Sequence, residues 1–249
     1  MTANSPQTPP QNLAQNPAQT PTQTPDLGDD FAALSRILHS RYSARAFLPD
    51  AVPDQVVAEI VRVAGRVPSW CNAQPWQVHV TRPAQTQAFS QMLLAQVGAT
   101  PPQPDIAWPA AYTGAYQQRR RDCGFQLYDA VGIAREDKAA RTAQMLENYR
   151  FFGAPHVAVI TSEADLGGYG AMDTGGFVTA FTLAAQAAGL ACVPQAAIAA
   201  YAPAVRAHFN LPDTRLVLCA ISFGYADESH PINGFRTARA GLDEVLCWV

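Results

Sequence analysis

Met172-Asp173-Thr174-Gly175-Gly176-Phe177-Val178-Thr179-Ala180-Phe181-Thr182-Leu183-Ala184-Ala185-Gln186-Ala187-Ala188 carries charge only at Asp173. The stretch is too long for a strand and predicts a helix over 172–188. Its apolar residues, Phe177, Val178, Phe181 and Leu183 among many alanines, go nearly all the way round. Such a helix must be covered on every side, by its own domain or by a partner subunit. Gly189 follows where a left-handed cap is wanted, and residues 167–170 before it read as loop. Further on, a short helix is expected at 202–208. Leu216 to Phe223 is nearly continuously apolar, the mark of a strand buried on both faces and central in its sheet. The stretch 226–249 has loop composition as far as Val245.

On the N-terminal side, Pro155 to Thr161 predicts a second strand and Trp76-Gln77-Val78-His79-Val80 a half-buried, alternating one. Helices are expected from Asp29 or Asp30 (buried stripe Phe31, Leu34, Ile37, Leu38), from Pro53 to Arg66 (Val56, Val57, Ile60, Val61), and over 84–97, 110–122 and 136–150. Glu136 and Asp137 suit the positive end of the last. Three strands separated by long helices imply an α/β or α+β fold. The rhythm is too irregular for a doubly wound sheet.

A chain of 249 residues, 48% hydrophobic, can bury a sizeable core as one large domain or two small ones. Residues 1–26 are dominated by Pro, Gln, Thr, Asn and Ala, with no Lys or Arg. They contain no signal-peptide core and cannot offset their ordering entropy, so a disordered tail is expected there. The folded domain then spans 27–249. A net charge of −3 argues against nucleic-acid binding. No apolar run reaches the roughly 18 residues that span a bilayer. The cysteines, five in all and never in a C-x-x-C pair, exclude a disulfide scaffold and a zinc site of usual spacing, and a reducing cytoplasm is the default.

No G-x-S-x-G elbow and no Walker loop occurs. Gly168-Tyr169-Gly170 begins like a dinucleotide fingerprint but has Asp173 at the third glycine and no strand feeding it. The histidines lack metal-ligand spacing. His79 and His156 lie within strands, where a hydrogen-bonded structural role outweighs ligation.

Four clusters could carry chemistry. In Arg41-Tyr42-Ser43-Ala44-Arg45, an extended backbone turns Arg41, Ser43 and Arg45 to one side, where two forked cations and a hydroxyl suit a phosphate or another polar anion. The plainer reading is a solvated turn paired to Asp50 or Asp54. Pro68-Ser69-Trp70-Cys71-Asn72-Ala73-Gln74-Pro75-Trp76 offers hydroxyl and amide groups on a stiff loop. These suit a ligand with alternating donors and acceptors, or simply the turn's own backbone. Gly189-Leu190-Ala191-Cys192-Val193-Pro194-Gln195-Ala196-Ala197 lets backbone approach a flat ligand, or is a helix-to-helix connection. Phe235-Arg236-Thr237-Ala238-Arg239 adds a phosphate contact through Arg239, or a surface arginine.

Together, Arg-x-Ser-x-Arg, Pro-Ser-x-x-Asn-x-Gln-Pro-Trp, Gly-Leu-x-x-x-Pro-Gln and the late Arg239 resemble the FMN-dependent nitroreductase family over about residues 35–245. Residues 116–121 and Asn148-Tyr149-Arg150-Phe151-Phe152-Gly153-Ala154-Pro155 look most like its nitrobenzoate and nitroaromatic reductase branch. The resemblance implies an α+β fold, a central, mostly antiparallel sheet flanked by helices, in an intertwined homodimer with FMN at the interface. It assigns Arg41, Ser43 and Arg239 to the FMN phosphate and Arg45 to the flavin N1 and O2 edge. Pro68, Ser69 and Asn72 would reach FMN from the other subunit, and the backbone at Gln195 and Ala196 would face the ring near N5. The helix over 172–188 would form the dimer interface.

The implied activity is hydride transfer from NAD(P)H through flavin N5 to a small aromatic acceptor. A nitro group would pass to nitroso and hydroxylamine in a ping-pong cycle with no protein nucleophile. Quinone or free-flavin reduction, and flavin binding without turnover, are the alternatives. Trp70, Tyr112, Tyr116 and Phe125 are candidates for the substrate pocket and its lid, and Cys71 for a small buried hydrophobe. Arg119, Arg120 and Arg121 could draw the NADPH 2′-phosphate, but a solvated helix face is the better reading. Where many members carry Lys two residues before the terminal Arg, this chain has Thr237, one phosphate charge fewer.

Overall fold

The computed structural model describes residues 27–249; the predicted tail at 1–26 lies outside the described residues. In chain order the regular elements are α1 (Gly28–Ser40), α2 (Asp54–Ala64), β1 (Gln77–Val80), α3 (Pro83–Gln96), α4 (Gly114–Ala130) and α5 (Lys138–Leu146). They continue with β2 (His156–Glu163), α6 (Gly167–Ala187), β3 (Ala191–Gln195), α7 (Ala202–Phe209) and β4 (Arg215–Gly224). The strands form one sheet in the order β1-β2-β4-β3. Every neighbouring pair is antiparallel, as the α+β expectation requires.

β2 shows why the central strands read as unbroken apolar runs: both faces are covered. Val157 and Val159 face a core completed by Phe89 and Leu93 of α3, Phe151, and Val205 of α7. Ala158 and Ile160, one residue out of phase, face Phe177, Phe181 and Ala185 of α6 with Ile60 and Ala64 of α2. β4 lies between β2 and β3, the central place its composition predicts.

Several boundaries differ from the sequence reading. A fourth strand, β3, occupies part of the segment read as a connection between helices. Pro194 disguises it, and is tolerated because β3 is an edge strand, paired to β4 alone within the sheet. The expected loop at 167–170 is the first turn of α6. The helix starts there despite its glycines because Gly170 must be glycine: a Cβ would lie 2.7 Å from Leu166 Cβ and 2.8 Å from Ser162 Oγ. The helix expected over 136–150 stops at Leu146 and gives way to 3-10 turns, Glu147–Gly153, in which Phe151 and Phe152 are left-handed (φ 56° and 54°). The helix expected over 110–122 runs later, as α4. α1 uses no side-chain cap; Asp29 and Asp30 sit inside its first turn, where they favour the helix dipole. Trp76 precedes β1 rather than belonging to it.

Of the two strand histidines, His156 is structural as expected. It is buried, its Nε2 accepts the Val52 N–H at 2.9 Å, and its Nδ1 lies 2.8 Å from the Thr81 carbonyl. Among the described residues no group of His, Cys, Asp and Glu could hold a metal ion, and no helix is long and apolar enough to cross a membrane.

Candidate functional site

α1 ends at Ser40 and the chain turns extended at Arg41 (φ −67°, ψ 141°). It then runs beside edge strand β3. The Ala44 N–H donates to the Cys192 carbonyl at 3.2 Å, and Leu48 N–H to Tyr225 O at 2.9 Å. Extended backbone alternates its side chains. Ala44 and Ala46 are therefore buried, while Arg41, Ser43 and Arg45 line one cleft of about 440 Å³. Residues of the 235–239 stretch supply the facing wall, bringing in Arg236 and Arg239, and Cys123 of α4 reaches the same space.

The charge of this cleft is uncompensated. None of Arg41, Arg45, Arg236 and Arg239 has a carboxylate within 4.0 Å among the described residues. Asp54, a suggested partner for the 41–45 turn, binds Arg82 instead. Arg206, half-buried, and Arg215, buried, do have carboxylate partners in Asp105 and Glu163. Arg45 is held by its own Nη1–H to Ser43 O at 3.0 Å and lies 5.8 Å from the Phe235 ring centroid. Burial pushes its guanidinium down from the ordinary value, but an arginine so placed is still protonated at neutral pH. Arg236 lies over Tyr42 at 3.7 Å. Arg239 donates to the carbonyl and hydroxyl of Thr237 at 3.1 and 2.9 Å. Thr237 thus orients Arg239, and Arg236 adds a charge the sequence reading passed over. Half-buried Arg41 and Arg45 with exposed Arg236 and Arg239, sharing one cleft without counter-ions among the described residues, suit an anionic ligand.

The other expected contacts lie elsewhere on the single chain. Pro68, Ser69 and Asn72 belong to a turn against the N-terminal half of α6. The Trp70 N–H donates to the Asp173 carboxylate at 3.0 Å, and the Trp70 ring packs 4.3 Å from that of Tyr169. Cys71, expected buried, is exposed on this surface turn, where it, Asn72 and Gln74 are left-handed (φ 52°, 56° and 49°). Ser69 Oγ accepts the Gln74 N–H at 3.0 Å, the turn-satisfying role weighed in the sequence.

Gln195 ends β3, is 3% exposed, and donates to Asn148 O at 2.8 Å. Its Oε1 accepts from Ser222 Oγ. The side chain is fully engaged, so only the backbone of Gln195 and Ala196 is left for a ligand. The lid candidates do not line the cleft. Tyr112 and Tyr116 are exposed, and Phe125 lies beneath the Arg135 guanidinium at 3.9 Å. Arg119 pairs with Glu244 at 2.7 Å, as a solvated helix face would.

A family model described as the nitroreductase family matches residues 38–225. The chain belongs to the nitroreductase family. Among curated nitroreductases, NfnB of Mycolicibacterium smegmatis is 37% identical over 213 residues, 85% of this chain and 91% of that one. A 4-nitrobenzoate reductase of Pseudomonas putida is 32% identical, covering 86% and 92%. Among solved structures, the FMN-dependent nitroreductase NfnB of Mycobacterium smegmatis in complex with NADPH superposes with a TM-score of 0.85 at 36% identity. That match covers 89% of this chain and 100% of the solved one.

Proposed function

We propose that this nitroreductase-family protein is an FMN-dependent oxidoreductase that takes hydride from NADPH and delivers it to nitroaromatic compounds. The observation that carries this reading is the cleft in which Arg41, Ser43, Arg45, Arg236 and Arg239 converge without a carboxylate among the described residues. The donor set fits FMN, which combines a phosphate with a polar-edged planar ring. Relatives that bind FMN and NADPH or reduce nitrobenzoate support it.

Bound FMN supplies the two-electron chemistry; the chain supplies position and field. Arg41, Ser43 and Arg239 hold the phosphate. Arg45 keeps its positive charge in a poorly solvated place, where a fixed charge acts strongly, and would set it beside the pyrimidine edge, favouring electron uptake. The backbone at Gln195 and Ala196 would face the ring. Pro68, Ser69 and Asn72, outside this cleft, reach the cofactor of a second copy, so the working unit is a homodimer.

The outer surface of α6 supports that assembly. Met172 is 62% exposed, and Gly175 and Gly176 leave open space beside it. The free cysteines suit the cytoplasm.

The test is anaerobic mixing of the purified yellow protein with NADPH, and separately with NADH, followed by reoxidation with nitrobenzoate, a quinone and riboflavin. Bleaching by NADPH and rapid recovery with nitrobenzoate are expected. Faster recovery with the quinone would move the reading to another acceptor, and no bleaching would leave a flavin-binding protein without turnover. A colourless protein that takes up no FMN overturns the proposal.

A further inference from the structure

Asn233 takes no part in the reading above, yet it joins the two halves of the arginine cleft. The residue ends a 3-10 turn, Pro231–Asn233, and is 5% exposed. Its Oδ1 accepts the Arg45 backbone N–H at 2.7 Å, and its Nδ2 donates to Ala46 O and Asp227 O, both at 2.9 Å. Its own N–H donates to His230 O at 3.0 Å, and its carbonyl accepts from Arg236 Nη1 at 2.7 Å. Both amide hydrogens and the amide oxygen are therefore used, and the main-chain groups as well.

These partners are not a random set. Arg45 and Ala46 belong to the N-terminal wall of the cleft and Arg236 to the C-terminal wall, Asn233 standing 188 positions after Arg45 in the chain. The arginine side chains also reach the opposite wall, Arg45 5.8 Å from the Phe235 ring centroid and Arg236 over the Tyr42 ring at 3.7 Å, but neither contact holds the Arg45 backbone, which the amide does. Arg45 bonds Ser43 on its own segment, and Arg236 bonds Asn233 and Phe235 on its own. We infer that Asn233 is the positioning residue of the cofactor cleft, fixing the origin of the Arg45 side chain and its distance from the Arg236 wall.

The inference rests on the FMN reading of the cleft. Losing the amide leaves the half-buried Arg45 N–H without its partner and the Ala46 carbonyl with the Asp227 N–H alone, and the joint between the walls is weakened at Arg45. A residue that merely filled the turn would change stability alone. One that places Arg45 would also change the reduction potential of the bound flavin, because that potential follows the distance of the guanidinium from the ring.

The experiment compares wild type, Asn233→Ala and Thr86→Ala. Thr86 lends a buried hydroxyl to Pro155 O at 2.8 Å on α3 and serves as a control for losing a buried hydrogen bond. FMN affinity is measured by fluorescence titration, the flavin potential by dye equilibration, and the melting temperature by calorimetry. Asn233→Ala is expected to weaken FMN binding about ten-fold or more and to lower the potential. Thr86→Ala is expected to melt earlier with affinity and potential unchanged. Should Asn233→Ala not fold, Asn233→Asp carries the same test; it keeps the volume and the acceptor for the Arg45 N–H but loses both donors. A folded Asn233 variant with the wild-type potential overturns the inference, whatever its melting temperature. Wild-type protein that takes up no FMN overturns the functional reading instead.

Discussion

Arg45 and the phosphate arginines should fail in different ways when replaced. Arg45→Ala removes a fixed charge from the flavin's polar edge, so the potential should fall and reduction by NADPH should slow, as dye equilibration and stopped-flow absorbance would show. Arg41→Ala or Arg239→Ala removes a charge-assisted contact to the phosphate, with a loss of roughly 1.5–3 kcal/mol in FMN binding and little change in potential. If Arg45→Ala kept the wild-type potential, its place at the pyrimidine edge would be wrong. At this scale the sequence was legible where the chemistry is local. Extended backbone turns alternate residues to one side, so Arg41, Ser43 and Arg45 could be grouped from spacing alone. Asn233 and Arg236 could not, because Arg45 and Ala46, which Asn233 bonds, and Tyr42, which Arg236 covers, lie far along the chain. Cys71 was misplaced, because residue type alone does not say that its short loop lies on the surface.

Elements were legible from periodicity wherever burial set the pattern, as in β2, β4 and the apolar part of α6. They were missed where a glycine or proline has a tertiary reason. Pro194 hides edge strand β3, and Gly170 hides the first turn of α6. Gly170→Ala should therefore destabilise the fold despite alanine's better helix propensity. Its methyl group would meet Leu166 Cβ at 2.7 Å and Ser162 Oγ at 2.8 Å, and overpacking of this kind costs about 1–3 kcal/mol. Urea denaturation would read the loss; an alanine variant as stable as wild type would show that the α6 start shifts freely.

β1 makes a second prediction. Burial, and then the nearby Arg215 charge, push the His79 pKa down, and its Nε2 is buried with no hydrogen-bond partner among the described residues. A lowered folded-state pKa favours the neutral ring, so this contribution is complete above the ordinary histidine value of about 6.5 and is lost as pH falls below it. Burial lowers His208 as well, and it titrates in the same direction. The melting temperature should decline from about pH 6.5 downward, before the carboxylates protonate, and His79→Phe should flatten that part of the profile.

For the whole molecule, α6 explains why one chain looks unfinished. Its inner face, with Phe177, Phe181 and Ala185, is sealed against the sheet. Its outer surface shows Met172, Gly175 and Gly176 to solvent, though nothing in a soluble monomer calls for so apolar a helix. The sequence made this requirement visible but left open whether the covering came from the same domain or another copy. Composition states how much surface is apolar, not which chain buries it. Gly176→Glu separates the possibilities. A Cβ at Gly176 meets nothing within 4 Å in the single chain, so the folded monomer should be spared and helix propensity slightly improved. Against a second α6 the carboxylate would be buried without a partner. Sedimentation should show wild type as a dimer and the variant as a monomer with native circular dichroism. The variant should also lose its flavin, because Ser69 and Asn72 would no longer be supplied across the interface. A variant that stayed dimeric and yellow would remove α6 from the interface and, with it, the reason for assigning the Ser69 turn to the neighbouring copy.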